Sequence, residues 1–144
     1  MFKEMIEKKH YSFHQGFATW QEAVRAACQP LLVDGTIEKE YPEEIIAKVT
    51  ELGPYIVIAP EICIPHAQEG VGVNDTAMCF MKTEEPVHFS DDGEHDARLF
   101  FVLASVNNEV HLQNLCEMSE ALSDESVVEK LLQAKSVEDL KDLD

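Results

Sequence analysis

The sequence predicts an α/β fold, a mixed β-sheet sandwiched by helices in a single compact domain. Two observations predict it. Helical patterns open and close the chain, and short apolar runs rich in β-branched residues lie between them. The 144 residues are 45% hydrophobic, with no internal repeat and no Gly/Ser/Pro linker, which suits one packed core. Strand order does not follow from these patterns.

Phe2 to about Lys9 reads as a short helix and Tyr11–Phe13 as an extended piece. Residues 1–18 are thus expected to form an arm packed on a domain spanning 19–144. Thr19 with Glu22 three residues later is a capping box, and Trp20, Val24, Ala27, Cys28 and Leu31 follow at helical spacing. Pro30 should end or bend that helix. Pro42 suits the first turn of a second helix, Glu43–Leu52, stopped by Gly53 with Pro54 behind it. Tyr55–Ala59 looks like a buried strand, Pro60 interrupts it, and Ile62-Cys63-Ile64 resumes extended character, held there by Pro65. Further strands are expected at Thr76–Lys82, Val87–Phe89 and Leu99–Ala104. Asn107 or Asn108 can cap a helix through Leu122, with Leu112, Leu115, Ser119 and Leu122 on one side. Ser123 or Asp124 caps another through Ala134, and Ser136 with Asp139 begins a last short one.

Charge excludes whole classes of function. With 28 acidic against 11 basic residues the net charge is −17, and no basic block occurs. Nucleic acid and anionic membranes both require a cationic footprint, so neither is an expected partner. No run of about 18 apolar residues exists to span a bilayer. The opening MFKEMIEKKHYSF lacks the apolar core of a signal peptide, so a cytoplasmic location is expected. Cys28, Cys63, Cys79 and Cys116 form no CxxC pair; three sit in apolar stretches and read as reduced core residues.

Six histidines are the natural candidates for chemistry, because imidazole titrates near neutrality and is a competent nucleophile. His10, His14, His88 and His95 lie in polar or terminal surroundings and read as surface residues. His66 differs: an apolar strand braked by Pro65 delivers it to the start of the small-residue loop Ala67–Gly72. From spacing alone, a strand-end histidine bonded to backbone remains the commoner reading. His111 falls in the first turn of the helix opened by Asn107-Asn108-Glu109, where the helix dipole favours anions and a neutral imidazole, although taken alone a helix-surface or capping histidine is the commoner reading. Cys63 with His66 and His111 with Cys116 are a weak metal pattern, since i, i+5 residues diverge around a helix. No metal and no cofactor are expected. Phosphate loop, dinucleotide fingerprint, nucleophile elbow and HExxH are all missing. The acidic pairs Glu84-Glu85 and Asp91-Asp92 read as a solvated face and a loop.

The segment Leu52-Gly53-Pro54-Tyr55-Ile56-Val57-Ile58-Ala59-Pro60, followed by Ile64-Pro65-His66-Ala67, resembles the phosphohistidine segment of enzyme IIA proteins of the bacterial phosphoenolpyruvate-dependent sugar phosphotransferase system. The likeness is to the mannitol/fructose-type fold family, and within it to the ascorbate-type branch. Glu85-Pro86-Val87-His88-Phe89, Ala97–Ala104, Asn107-Asn108-Glu109-Val110-His111-Leu112, Leu122-Ser123-Asp124-Glu125 and Leu131-Leu132 agree in order, so the resemblance runs from about Trp20 onwards.

The resemblance implies a helix-flanked mixed sheet with the active histidine at its edge. It implies that His66 accepts a phosphoryl group from HPr and passes it to the cysteine of enzyme IIB, with membrane enzyme IIC an indirect partner. It matches His111 to the histidine that contacts the phosphoryl group; Asn107 and Asn108, at the start of the same helix, are expected to give weaker phosphate support. Thr50 stands where the mannitol and fructose branch has an arginine, and Gln68 where ascorbate-type relatives often have one. No Lys or Arg occurs between Lys48 and Lys82, so neutral donors are expected to hold the phosphoryl dianion: backbone N–H groups near His66, the His111 side chain and the helix N-terminus. One nitrogen of His66 should be exposed and the other anchored. Apolar contact for partners is sought at Ile64, Ala67, Val71 and Val73. Two rival readings are a regulatory IIA-like module, whose phosphorylation state controls a partner protein, and a metal-dependent hydrolase.

Overall fold

A computed structural model describes residues 1–67 and 71–143. The elements are α1 (Phe2–Glu7), β1 (Tyr11–His14), α2 (Trp20–Val33), α3 (Glu40–Leu52), β2 (Val57–Ala59), β3 (Glu61–Cys63), β4 (Ala77–His88), β5 (Asp96–Ala104), α4 (Asn108–Ala121), α5 (Glu125–Gln133) and a 3-10 helix at Val137–Leu140. The five strands form one sheet in the order β1-β4-β5-β3-β2. β1 runs parallel to β4 and β3 parallel to β5, while β4/β5 and β2/β3 are antiparallel, so the sheet is mixed.

Helices cover both faces because the central strands are apolar on both sides. Cys79 and Met81 of β4, with Phe100 and Val102 of β5, pack with Val24, Cys28 and Leu31 of α2 and Tyr41 and Ile45 of α3. Phe80, Leu99, Phe101 and Leu103 point the other way, against Phe2 and Met5 of α1, Met118 and Leu122 at the end of α4, and Leu131 of α5.

Local chemistry explains where the elements depart from their sequence signatures. Thr19 Oγ1 accepts the Glu22 N–H at 3.2 Å, one half of the expected capping box. α2 then continues past Pro30 to Val33, because its buried face extends through Leu31 and tertiary packing holds the turn beyond the proline. α3 begins at Glu40 rather than Glu43, with Pro42 buried in its first turn, and Gly53 closes it at φ +88°. The expected buried strand Tyr55–Ala59 shrinks to the edge strand β2, half-exposed at Ile58; Pro60 turns the chain and β3 pairs back antiparallel.

The two strands expected at Thr76–Lys82 and Val87–Phe89 are one strand, β4. Its pairing with β5 shifts between Lys82 and Val87, so Pro86 falls in a bulge where no ladder N–H is required. On the other edge, the Glu84 and Glu85 N–H groups both donate to the Gln15 carbonyl, at 3.1 and 2.9 Å. Glu84 is no solvated bystander. It pairs with Lys135 and, at 2.6 Å, with the buried Lys82, and these two ammonium groups hold its carboxyl down to about 2. Lys82 Nζ also donates to the Ala134 carbonyl at 2.7 Å, tying the end of α5 to the sheet. β5 starts at Asp96 rather than Leu99, where Asp96 meets His88 across the ladder.

Candidate functional site

The site is assembled where the chain leaves β3. The Ile64 N–H donates to the Ile56 carbonyl at 2.7 Å, and the Leu103 N–H donates to the Pro65 carbonyl at 3.0 Å. The His66 carbonyl accepts the Tyr55 hydroxyl, and the Ala67 N–H donates to the Tyr41 hydroxyl oxygen at 3.2 Å. Tyr41 in turn donates to the Leu103 carbonyl. Every residue from 64 to 67 is therefore pinned through its backbone. Gly72, at φ +68°, returns the chain to α3: its carbonyl accepts the Glu38 N–H at 2.8 Å, and a Cβ there would lie 2.9 Å from the Tyr41 nitrogen. Gln68 and its neighbours to Gly70 lie outside the described residues.

The His66 ring is half-buried. Its Nδ1 sits 2.6 Å from the Ile64 carbonyl oxygen, which can only accept, so Nδ1 carries the hydrogen and Nε2 keeps its lone pair. Tyr55 packs edge-on against the ring at 5.3 Å. Burial pulls the His66 pKa below the ordinary 6.5, the Ile64 hydrogen bond opposes that, and His111 adds to it. The expected arrangement of one anchored nitrogen and one available nitrogen is thus met at the anchored end.

His111, from the first turn of α4, lies beside it: the two ring centroids are 5.4 Å apart. The two histidines are far apart in sequence but meet because β3, which precedes His66, pairs with β5, which leads into α4. His111 Nδ1 is 3.2 Å from the hydroxyl of Ser105, a buried residue just past β5. Asn107 rather than Asn108 is the N-cap, its side-chain oxygen accepting the Val110 N–H at 2.9 Å. The Ala67 and Val110 N–H groups thus already have protein partners, which leaves side chains a larger share of any anion binding.

The remaining expectations sort by burial. Ile64 and Ala67 are core residues, whereas Val71 is exposed and Val73 half-buried. Leu112 is 64% exposed, because α4 turns Met118 and Leu122 inward instead. His10 is not a surface residue: it is only 3% exposed, with Nε2 at 2.5 Å from Asp34. Cys28, Cys63 and Cys79 are buried and Cys116 is exposed; burial pushes the Cys28 thiol up to about 12. Among the described residues no cluster of three His, Cys, Asp or Glu side chains is arranged to hold a metal ion. Tyr41, Tyr55 and Ser105 escaped sequence reasoning, because each acts through a backbone group or ring distant in sequence.

Residues 4–143 match the family described as phosphoenolpyruvate-dependent sugar phosphotransferase system, EIIA 2. The ascorbate-specific PTS system EIIA component of Mycoplasma pneumoniae is 29% identical over 133 residues, covering 91% of this chain and 83% of that protein. A domain from Streptococcus pyogenes M1 GAS, solved as a PTS IIA domain, shares the fold at a TM-score of 0.85 and 28% identity, over 99% of this chain and 95% of that one. A chain in the Escherichia coli complex of enzyme IIA-mannitol with phosphorylated enzyme IIB-mannitol gives 0.81 and 28%, over 94% and 93%. Fold and match together define a phosphotransferase component. The chain belongs to the phosphoenolpyruvate-dependent sugar phosphotransferase system EIIA 2 family.

Proposed function

We propose that this chain is a cytoplasmic phosphocarrier that takes a phosphoryl group from phospho-HPr on His66 and passes it to the cysteine of an enzyme IIB component, for uptake of an ascorbate-type sugar acid by the membrane enzyme IIC. The observation that carries this reading is the Nδ1 contact of His66 with the Ile64 carbonyl, which leaves Nε2 as a fixed, neutral nucleophile. In the first transfer Nε2 bonds to phosphorus while the bond from phosphorus to the donor breaks, and the electron pair leaves with the donor. In the second, the IIB thiolate bonds to phosphorus and the Nε2 lone pair is restored. Such transfers depend on positioning and charge stabilisation rather than on covalent assistance. His111 supplies a hydrogen bond to the phosphoryl oxygens, with Asn107 and Asn108 at the same helix start as lesser support.

Acceptance by IIB is supported by the likeness to the IIA chain solved with phosphorylated IIB, and the ascorbate assignment by the Mycoplasma pneumoniae relative. No helix among the described residues is long and apolar enough to cross a membrane, which accords with a carrier between protein partners. The test is a relay from phosphoenolpyruvate through enzyme I and HPr to a purified IIB. His66→Ala is expected to take up no phosphate, and His111→Ala to take it up but transfer it more slowly, with a barrier raised by about 2–4 kcal/mol. Stoichiometric uptake by His66→Ala would overturn the assignment, and uptake without donation to IIB would favour the regulatory module.

A further inference from the structure

We propose that Ser105 is a positioning residue that sets the tautomer of His111, keeping a hydrogen on its Nε2; this rests on the phosphocarrier reading above. The two facing imidazoles are anchored in chemically opposite ways. His66 Nδ1 meets a carbonyl oxygen, an obligatory acceptor, so that ring is bare at Nε2. His111 Nδ1 meets a hydroxyl, which can donate as well as accept.

The direction of the second bond follows from burial. Ser105 is 1% exposed, so water cannot serve its hydroxyl hydrogen. Among the described residues, the hydrogen-bond partner of its Oγ is His111 Nδ1, at 3.2 Å. Were Ser105 to accept from an Nδ1–H, its own O–H would be buried without an acceptor, a loss that folded proteins generally avoid. Donating to a bare Nδ1 satisfies both groups and leaves the His111 hydrogen on Nε2. The pair of rings then presents a lone pair on His66 and a donor on His111, 5.4 Å apart between centroids, which is the complementarity a phosphoryl group on His66 Nε2 requires. The reversed tautomer would turn a second lone pair toward the anion. The backbone holds Ser105 in place: Leu103, two residues earlier, bonds the Pro65 carbonyl, and the Val106 N–H donates to Thr76 Oγ1 at 3.2 Å.

The test is a long-range 1H–15N spectrum of the histidine rings in the unphosphorylated full chain, joined to the transfer rate from phospho-HPr for wild type and Ser105→Ala. The expected wild-type result is a hydrogen-bearing Nε2 and a bare, hydrogen-bonded Nδ1 on His111, with the opposite pattern on His66. Ser105→Ala should shift the His111 pattern, leave that of His66 unchanged, and slow transfer roughly tenfold, the size expected when one buried hydrogen bond is lost. A wild-type His111 protonated on Nδ1 would overturn the proposal without any variant, as would a Ser105→Ala protein with wild-type spectrum and rate. If the wild-type chain takes no phosphate at all, the carrier reading falls, while the spectrum still decides the tautomer separately.

Discussion

At position 66, on the carrier reading, one hydrogen bond decides the chemistry. Sequence showed that Pro65 would hold the preceding residue extended and that a histidine would leave the sheet there. It could not show that the Ile64 carbonyl turns back onto Nδ1, because that depends on the local path of the chain. His111 was legible as a helix-start histidine, but its Ser105 partner was not, since a serine after an apolar strand carries no signature. A pH dependence belongs at this scale. Burial and the neighbouring His111 lower the His66 pKa below 6.5, so the neutral ring persists to lower pH than in a free peptide. The acid limb of the rate of uptake from phospho-HPr should therefore fall below 6.5. An inflection above that value would contradict it. The same sign governs folding: the unfolded ring binds its proton at higher pH, so this ring's contribution to stability is complete above 6.5 and is lost as pH falls toward the folded value.

Among the elements, α3 helps to build the candidate site without contributing a histidine to it. Its Tyr41 hydroxyl joins the Leu103 carbonyl of β5 to the Ala67 N–H, so the segment carrying His66 is clamped between helix and sheet. Tyr41→Phe keeps the ring packed but leaves two buried backbone groups unpaired, and should lower stability by about 1–3 kcal/mol in denaturant unfolding. It should also slow phosphoryl uptake, because the loop loses its anchor. Unchanged stability and rate would show that the clamp is idle. The helices themselves were largely legible, from the Thr19 cap, the Pro42 start and the Gly53 stop. The misreadings share one cause: tertiary contacts outweighed local signals. Packing carried α2 through Pro30, β1 and Gln15 held β4 together across Pro86, and Leu112 was left outside because Met118 filled the core.

At the scale of the whole molecule, mixed sheet and helix layers were legible because the hydrophobic patterns change period along the chain. Strand order was not, since the parallel pairs β1/β4 and β3/β5 join segments with no local relation. The exposed Val71, Val106 and Leu112 stand close in sequence to the two histidines, and the chain around them carries a net charge of −17. On the carrier reading these residues provide apolar contact for transient partners, and the acidic field steers a basic one. Raising ionic strength should then lower the second-order rate of transfer from phospho-HPr while leaving the extent of phosphorylation unchanged. A salt-independent rate would remove steering from the account.

The most direct test of the central claim is to phosphorylate uniformly 15N-labelled protein with phosphoenolpyruvate, enzyme I and HPr, and locate the phosphorus by 31P–15N coupling. The account predicts one phosphoryl group per chain, on Nε2 of His66. Phosphorus on His66 Nδ1, on His111 or on no histidine would contradict it.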